Sequence, residues 1–309
     1  MTLVVAGYKQ NGYAWKTDRE QDYTPNRQSG SFVIADSMIS NVIQGTRKPL
    51  VSGFKKINEV PVKVWQPHLV GELFQGYKQV FQEHRCLIAF AGSTLTAQHV
   101  VDTISGHLSQ LRIDYVEGND FRCVIRKSCD NNNLLNNGIG GCYDDDIFIP
   151  ERDYQDLLTA DYISEVVEHS INKGFESKMK HVLDQASLVG MNTNIILAVD
   201  CPVTRIAHIY KYKFQYKVLP EGGVKAYCEK EFIEADNIAI IGMETMYGND
   251  AIQVAQTSMK EGLHFKEKMT EFVVDCAKND MTFEIGMPIV LKELEGVSVK
   301  KTFIPDDDV

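Results

Sequence analysis

Chemistry is available at the second residue. The chain opens MTLVVAGYKQ, and a small residue after the initiator methionine is what methionine-trimming aminopeptidases act on, so loss of Met1 would leave Thr2 leading. A terminal threonine carries nucleophile and base on one residue. Its hydroxyl attacks a carbonyl carbon, and its own α-amine takes the proton, directly or through a water. That amine has an intrinsic pKa of about 8, so a small downward shift makes it a base at neutral pH.

Three further groups have types and positions that would serve such a nucleophile. SFVIADSMIS ends an apolar run on Asp36, and GFKKI follows about twenty residues later with Lys55 and Lys56. A buried lysine beside the nucleophile lowers its pKa electrostatically, and an aspartate holds that lysine charged and oriented. AFAGSTLTA ends a buried run on Gly92 just before a helix start. With no side chain there, the backbone N–H can approach a ligand closely, as an oxyanion hole requires. Asp18, in KTDRE, is a rival to Asp36, in a more polar segment with no lysine–isoleucine pair following at a suitable distance.

The elements that must position these groups are legible as periodicity. TLVVAGY (2–8) and SFVIAD (31–36) read as strands, 60–65 alternates, and CLIAFAG (86–92) reads as a buried strand. In the stretch after it, Ala97, Val100, Val101, Ile104, Leu108 and Leu111 share one helical face. Residues 159–189 carry helical spacing, with Gly174 expected to mark a break or bend. NIILAVD (194–200) reads as a strand. In 209–218, Tyr210, Tyr212, Phe214, Tyr216 and Val218 fall on one face and Lys211, Lys213 and Lys217 on the other; a turn at Glu221-Gly222-Gly223 leads to a partner strand over 224–232. NIAIIGM (237–243) follows as a strand. Two helices come next, one capped by Asp250 and running to about Leu263, the other over about 265–278. Strands close the chain near 281–294 and 296–303. Clustered strands alternating with clustered helices predict antiparallel sheets covered by helices.

Composition removes several other classes. The charge of −10, from 32 basic and 42 acidic residues, with no basic cluster, argues against nucleic acid as partner. No apolar run approaches the roughly 20 residues that span a bilayer, and no signal peptide is expected. Seven scattered cysteines, an odd number, point to free thiols in a reducing compartment, the cytoplasm being the simplest expectation. The Asp144-Asp145-Asp146 run lacks calcium-loop spacing, no HExxH occurs, and no histidine pairs with a cysteine at zinc spacing, so neither metal nor cofactor is expected. His99 and His107 read as surface residues of a helix. The nucleotide-binding motifs GxGxxG after a strand and GxxxxGK[ST] are missing.

The order Thr2 on a strand, A-D-S, K-I, then A-G-S/T into a helix resembles the proteasome β-subunit family and its bacterial relatives, including the ancestral-β-subunit type. These are N-terminal-nucleophile hydrolases. The resemblance implies an α+β fold, a four-layer αββα sandwich. It implies Thr2 as nucleophile and base, Asp36 and Lys56 as the charge-tuning pair, Gly92 as oxyanion donor, and Asp280 as the aspartate at the terminal amine. Lys56 is preferred to Lys55 because the family lysine precedes an apolar residue, here Ile57. IIGMETMYGNDAIQVA resembles the family's Gly-Ser corner in altered form, with Thr245 as its aliphatic hydroxyl. Three residues after Asp280, where the family has a serine, stands Phe283, with Thr282 the nearest hydroxyl. The match covers 2–8, 31–65, 86–111 and 194–303 of a single domain, with insertions at about 9–30, 66–85 and 113–190. The expected activity is threonine-type hydrolysis of a peptide or protein amide by a homo-oligomer, a ring or stack. A small-amide hydrolase and an inactive structural or binding scaffold are the alternatives.

Overall fold

The computed structural model describes residues 2–10, 25–43, 46–71, 73–116, 122–131, 133–137, 149–180, 187–188, 190–220 and 223–306. Its strands are β1 (Leu3–Tyr8), β2 (Ser31–Asp36), β3 (Ile39–Ile43), β4 (Thr46–Val51), β5 (Ile57–Val70), β6 (Leu73–Gly92), β7 (Leu111–Val116), β8 (Arg122–Arg126), β9 (Thr193–Asp200), β10 (Ala207–Val218), β11 (Val224–Ile233), β12 (Ala239–Gly242), β13 (Ile289–Glu295) and β14 (Ser298–Ile304). Its helices are α1 (Thr94–Leu108), the short α2 (Leu134–Asn137) and α3 (Pro150–Asp153), α4 (Ala160–Met179), α5 (Glu244–Lys260) and α6 (Phe265–Asn279).

Strands dominate this mixed α/β fold. One sheet has the order β12-β1-β2-β13-β14, a second β11-β10-β9-β6-β5-β7-β8, and β3 with β4 forms a small ribbon. All pairings are antiparallel except β5 with β7.

The central strands read as unbroken apolar runs because both their faces are covered. In β1, Val4, Ala6 and Tyr8 join a core shared with Leu87, Ala89 and Ala91 of β6, while Leu3 and Val5 join a core with Phe265, Met269 and Val273 of α6. The other face of β6, Cys86, Ile88 and Phe90, packs with residues of α1 and α4. Period-two alternation thus assigns successive residues to different cores. At the far end of β1, the buried Tyr8 hydroxyl donates to the Ile233 carbonyl (2.7 Å) and accepts from the Ile209 N–H (2.9 Å), tying the two sheets together.

Several expectations are corrected. Helix α4 runs unbroken through Gly174, because a Cβ there would lie 2.8 Å from Val100 Cγ2 and the glycine lets α4 approach α1 closely. The same helix packs against α1 and against β9, β10 and β11 of the second sheet. The β5–β6 hairpin takes in most of 66–85, where the insertion is expected. Helix α5 begins at Glu244, directly after β12, so Asp250 lies inside it and caps nothing. Lys211 is buried among its neighbours and reaches Glu244 (2.9 Å), since this part of β10 is covered on both faces. Residues 281–288 form no strand, and β13 starts only at Ile289. The turn expected at Glu221-Gly222 lies outside the described residues.

A polar chain joins β10 to α4. Arg27 Nη2 donates to His208 Nε2 (2.5 Å), His208 Nδ1 donates to the Tyr210 hydroxyl (3.1 Å), and that hydroxyl donates to Asp161 Oδ1 (2.7 Å). This pattern requires a neutral imidazole. Burial, and then Arg27, push the His208 pKa down to about 4. The unfolded chain, with an ordinary histidine near about 6.5, therefore binds a proton that the folded chain refuses. The contribution to stability is full above about pH 6.5 and is lost as pH falls towards about 4. His208→Gln should flatten the fall in denaturant midpoint across that window, and an unchanged pH slope would contradict the assignment.

Candidate active site

The site grows from the end of β2. Because Val4 pairs with Ala35, the next residue of β2, Asp36, comes to lie over the start of β1. Its buried carboxylate accepts from the Leu3 N–H through Oδ1 (2.9 Å), and from the Met38 N–H (3.2 Å) and Lys56 Nζ (2.8 Å) through Oδ2. Lys56 also donates to the Met38 carbonyl (2.7 Å). The segment carrying Lys56 is held by a hydrogen bond from the Phe54 N–H to the Ser37 carbonyl (2.8 Å), and by Ile57, which is anchored in the core between β1 and β6. The lysine therefore enters the interior because its apolar neighbour does.

Burial pushes the Asp36 carboxyl up and the Lys56 ammonium down, and their ion pair opposes both shifts. Each ion has hydrogen-bonded partners, the condition under which a buried pair is tolerated.

Two corners of the same design flank Thr2. β6 ends on Gly92 (φ +118°) before α1, and β12 ends on Gly242 (φ +95°) before α5. At Gly92 a Cβ would overlap the Asn192 carbonyl; at Gly242 it would overlap the carbonyl of Thr2 itself. The Met243 N–H donates to that Thr2 carbonyl (2.9 Å). A Cβ on Gly242 would also come within 3.1 Å of Ala91 Cβ, so the corners adjoin. Neither α1 nor α5 has a side-chain cap, so both helices present the positive ends of their dipoles at this place.

The fold is similar to that of Anbu. The solved structure of Anbu, the ancestral β-subunit, from Yersinia bercovieri aligns with 99% of this chain and 88% of its own, at a TM-score of 0.50 and 11% identity. Anbu from Hyphomicrobium sp. strain MC1 aligns at 0.49 and 16% identity over 100% of this chain and 89% of that one. The helical assembly of the Anbu complex from Pseudomonas aeruginosa aligns at 0.49 and 10% over 100% and 88%. No family model and no curated protein matches the sequence. At these identities the likeness to Anbu concerns the fold.

Within this Anbu-like fold, Thr2, Asp36 and Lys56 are all buried, while Lys55 is exposed. Asp36 bridges Lys56 to the N–H of the residue after Thr2, and Gly92 stands at the adjoining corner. Asp280 is differently engaged. Its Oδ1 accepts from the Thr282 N–H and hydroxyl, and its Oδ2 from the N–H groups of Glu284 and Ile285, so it holds the 280–285 turn. Thr245 falls in the first turn of α5. Asp18 lies outside the described residues. Gly242, Met243 and the Met38 carbonyl had not been singled out; a glycine closing an apolar strand before a helix, as in AFAGS, was the signal available for the first.

The ion pair yields a stability test. Lys56→Met leaves the Asp36 carboxylate buried without its cation and should cost about 3–5 kcal/mol, read from denaturant unfolding. Adding Asp36→Asn should restore part of that loss. Strict additivity of the two changes would contradict a coupled pair.

Proposed function

We propose that the protein is a proteasome-like N-terminal threonine hydrolase, cleaving peptide bonds through an acyl-enzyme ester once Met1 is removed. The observation that carries this reading is the buried Asp36–Lys56 pair hydrogen-bonded to the backbone at the start of the strand that Thr2 opens. The proposal includes the four-layer αββα sandwich, for which the three cores support the layer order: one between the sheets, and one under each pair of long helices.

In this mechanism the Thr2 hydroxyl adds to the scissile carbonyl while its α-amine takes the proton. The Lys56 charge favours the developing alkoxide, and Asp36 keeps the ammonium in place. The tetrahedral oxyanion is met by the Gly92 N–H and the positive helix ends at the two corners. Collapse expels the amine product, which receives the proton from the Thr2 amine. Water then attacks the ester, with the same amine as base, and frees the acid and Thr2.

A second reading is a catalytically inactive subunit acting as a scaffold. What favours it is Asp280, whose carboxylate is spent on its own turn, together with a corner after β12 that holds no serine.

Intact mass and N-terminal sequencing should find Thr2 leading the purified chain, and fluorogenic peptides should be hydrolysed. Thr2→Ala keeps the terminal amine but removes the attacking hydroxyl, and should lower that rate by at least about 100-fold. Equal rates for wild type and Thr2→Ala reject the nucleophile, and retained Met1 with no hydrolysis favours the scaffold.

The same reading takes the chain to be a homo-oligomer, a ring or stack. Sedimentation equilibrium should give a multiple of the chain mass, and a strict monomer at micromolar concentration would remove that part of the proposal.

A further inference from the structure

Far from Thr2, three ligating side chains from three separate elements converge. His107 lies in the last turn of α1, Cys129 in the turn that follows β8, and His169 on α4. One ligand atom of each lies within 4.8 Å of the others. Cys129 Sγ stands 3.4 Å from His169 Nε2, and the two imidazole rings have centroids 5.3 Å apart. Among the described residues this is the one group of its kind.

Supporting contacts orient these groups as a metal site would need. The Ser170 hydroxyl has a single proton, which it donates to the Val166 carbonyl (2.6 Å). It can therefore only accept from His107 Nδ1 (2.8 Å), leaving the lone pair of that ring on Nε2. A ligating histidine typically donates its second ring N–H in this way. The Cys129 turn is also built: the Asp130 N–H donates to the Lys127 carbonyl (3.1 Å), and the Lys127 N–H to Asp130 Oδ2 (3.0 Å). The nearby cations are already matched, Lys127 by Asp130 (3.3 Å) and Lys173 by Glu176 (2.8 Å).

We propose that His107, Cys129 and His169 bind a zinc-class divalent ion, which clasps the turn after β8 to α1 and α4. Two imidazoles and a thiolate are the ligands that such borderline-soft ions prefer. In a tetrahedral zinc site such ligand atoms stand roughly 3.3–3.8 Å apart, from zinc–nitrogen and zinc–sulfur bond lengths. The sulfur–nitrogen pair already has that spacing, so binding requires the third ligand to close by about 1.5 Å at most. The ion displaces the thiol proton to solvent, and water completes the fourth position. The site is independent of the proposed hydrolase chemistry, because it lies at the end of α1 remote from Gly92, about 20 Å along the helix.

Stripped full-length protein is titrated with Zn2+ against a chromophoric chelator, and with Co2+ under an absorption spectrometer. Wild type should bind one ion per chain, give a thiolate-to-cobalt charge-transfer band, and melt at higher temperature with Zn2+ than without. Cys129→Ser, a change at an exposed position, should abolish the band and the melting shift. His169→Gln should weaken Zn2+ binding by more than the roughly 10–100-fold that loss of a supporting outer-shell contact causes. Wild type lacking the charge-transfer band, or binding Zn2+ no more tightly than Cys129→Ser, overturns the proposal.

Discussion

A single buried carboxylate organises one end of this molecule. Asp36 is removed from water, so each of its oxygens must find donors inside the protein, and no one element can supply them. The first strand contributes the Leu3 N–H, the turn after the second strand the Met38 N–H, and a distant segment the Lys56 ammonium. Satisfying one charge thereby fixes three backbone segments against each other. The lysine in turn ties down the Met38 carbonyl, so the turn is bonded to both ions.

The readable parts of the fold were those governed by local periodicity on covered strands. TLVVAGY, SFVIAD and CLIAFAG declared themselves because every residue in them except Gly92 is buried on one face or the other. The errors share a physical cause: a residue's local meaning was overridden by its neighbours in space. Gly174 looked like a helix breaker, yet its missing side chain is what Val100 requires. Asp250 looked like a cap, yet it lies inside a helix that starts as soon as the Gly242 corner is passed. Lys211 sits on the alternating polar face as expected, but that face is covered there too.

The site divides along the same line. The pairing of Asp36 with Lys56 was what the family resemblance implied, and the buried Ile57 beside the lysine is what carries it inward. That Gly242 would lie against Thr2 was not readable, since the long stretch between them holds no local sign of the pairing of β12 with β1. His107, Cys129 and His169 were invisible to any search by spacing, because their proximity belongs to the packing of α1, α4 and the turn after β8. The Anbu-like fold accounts for how such segments are brought together, while the chemistry depends on the particular residues that each corner holds.

The first strand is pinned at both extremities, by Asp36 below and by the Tyr8 hydroxyl above. It therefore works as a ruler of fixed length. A slip of two residues, which would preserve its alternation, would tear the phenol from Ile209 and Ile233 and the carboxylate from its amide at once. On the proposed reading, the peptide bond before Thr2 is the one whose scission would leave a free amine beside the Gly242 corner. An extra residue inserted before Leu3 would project beyond this fixed frame, with no way for the strand to compensate.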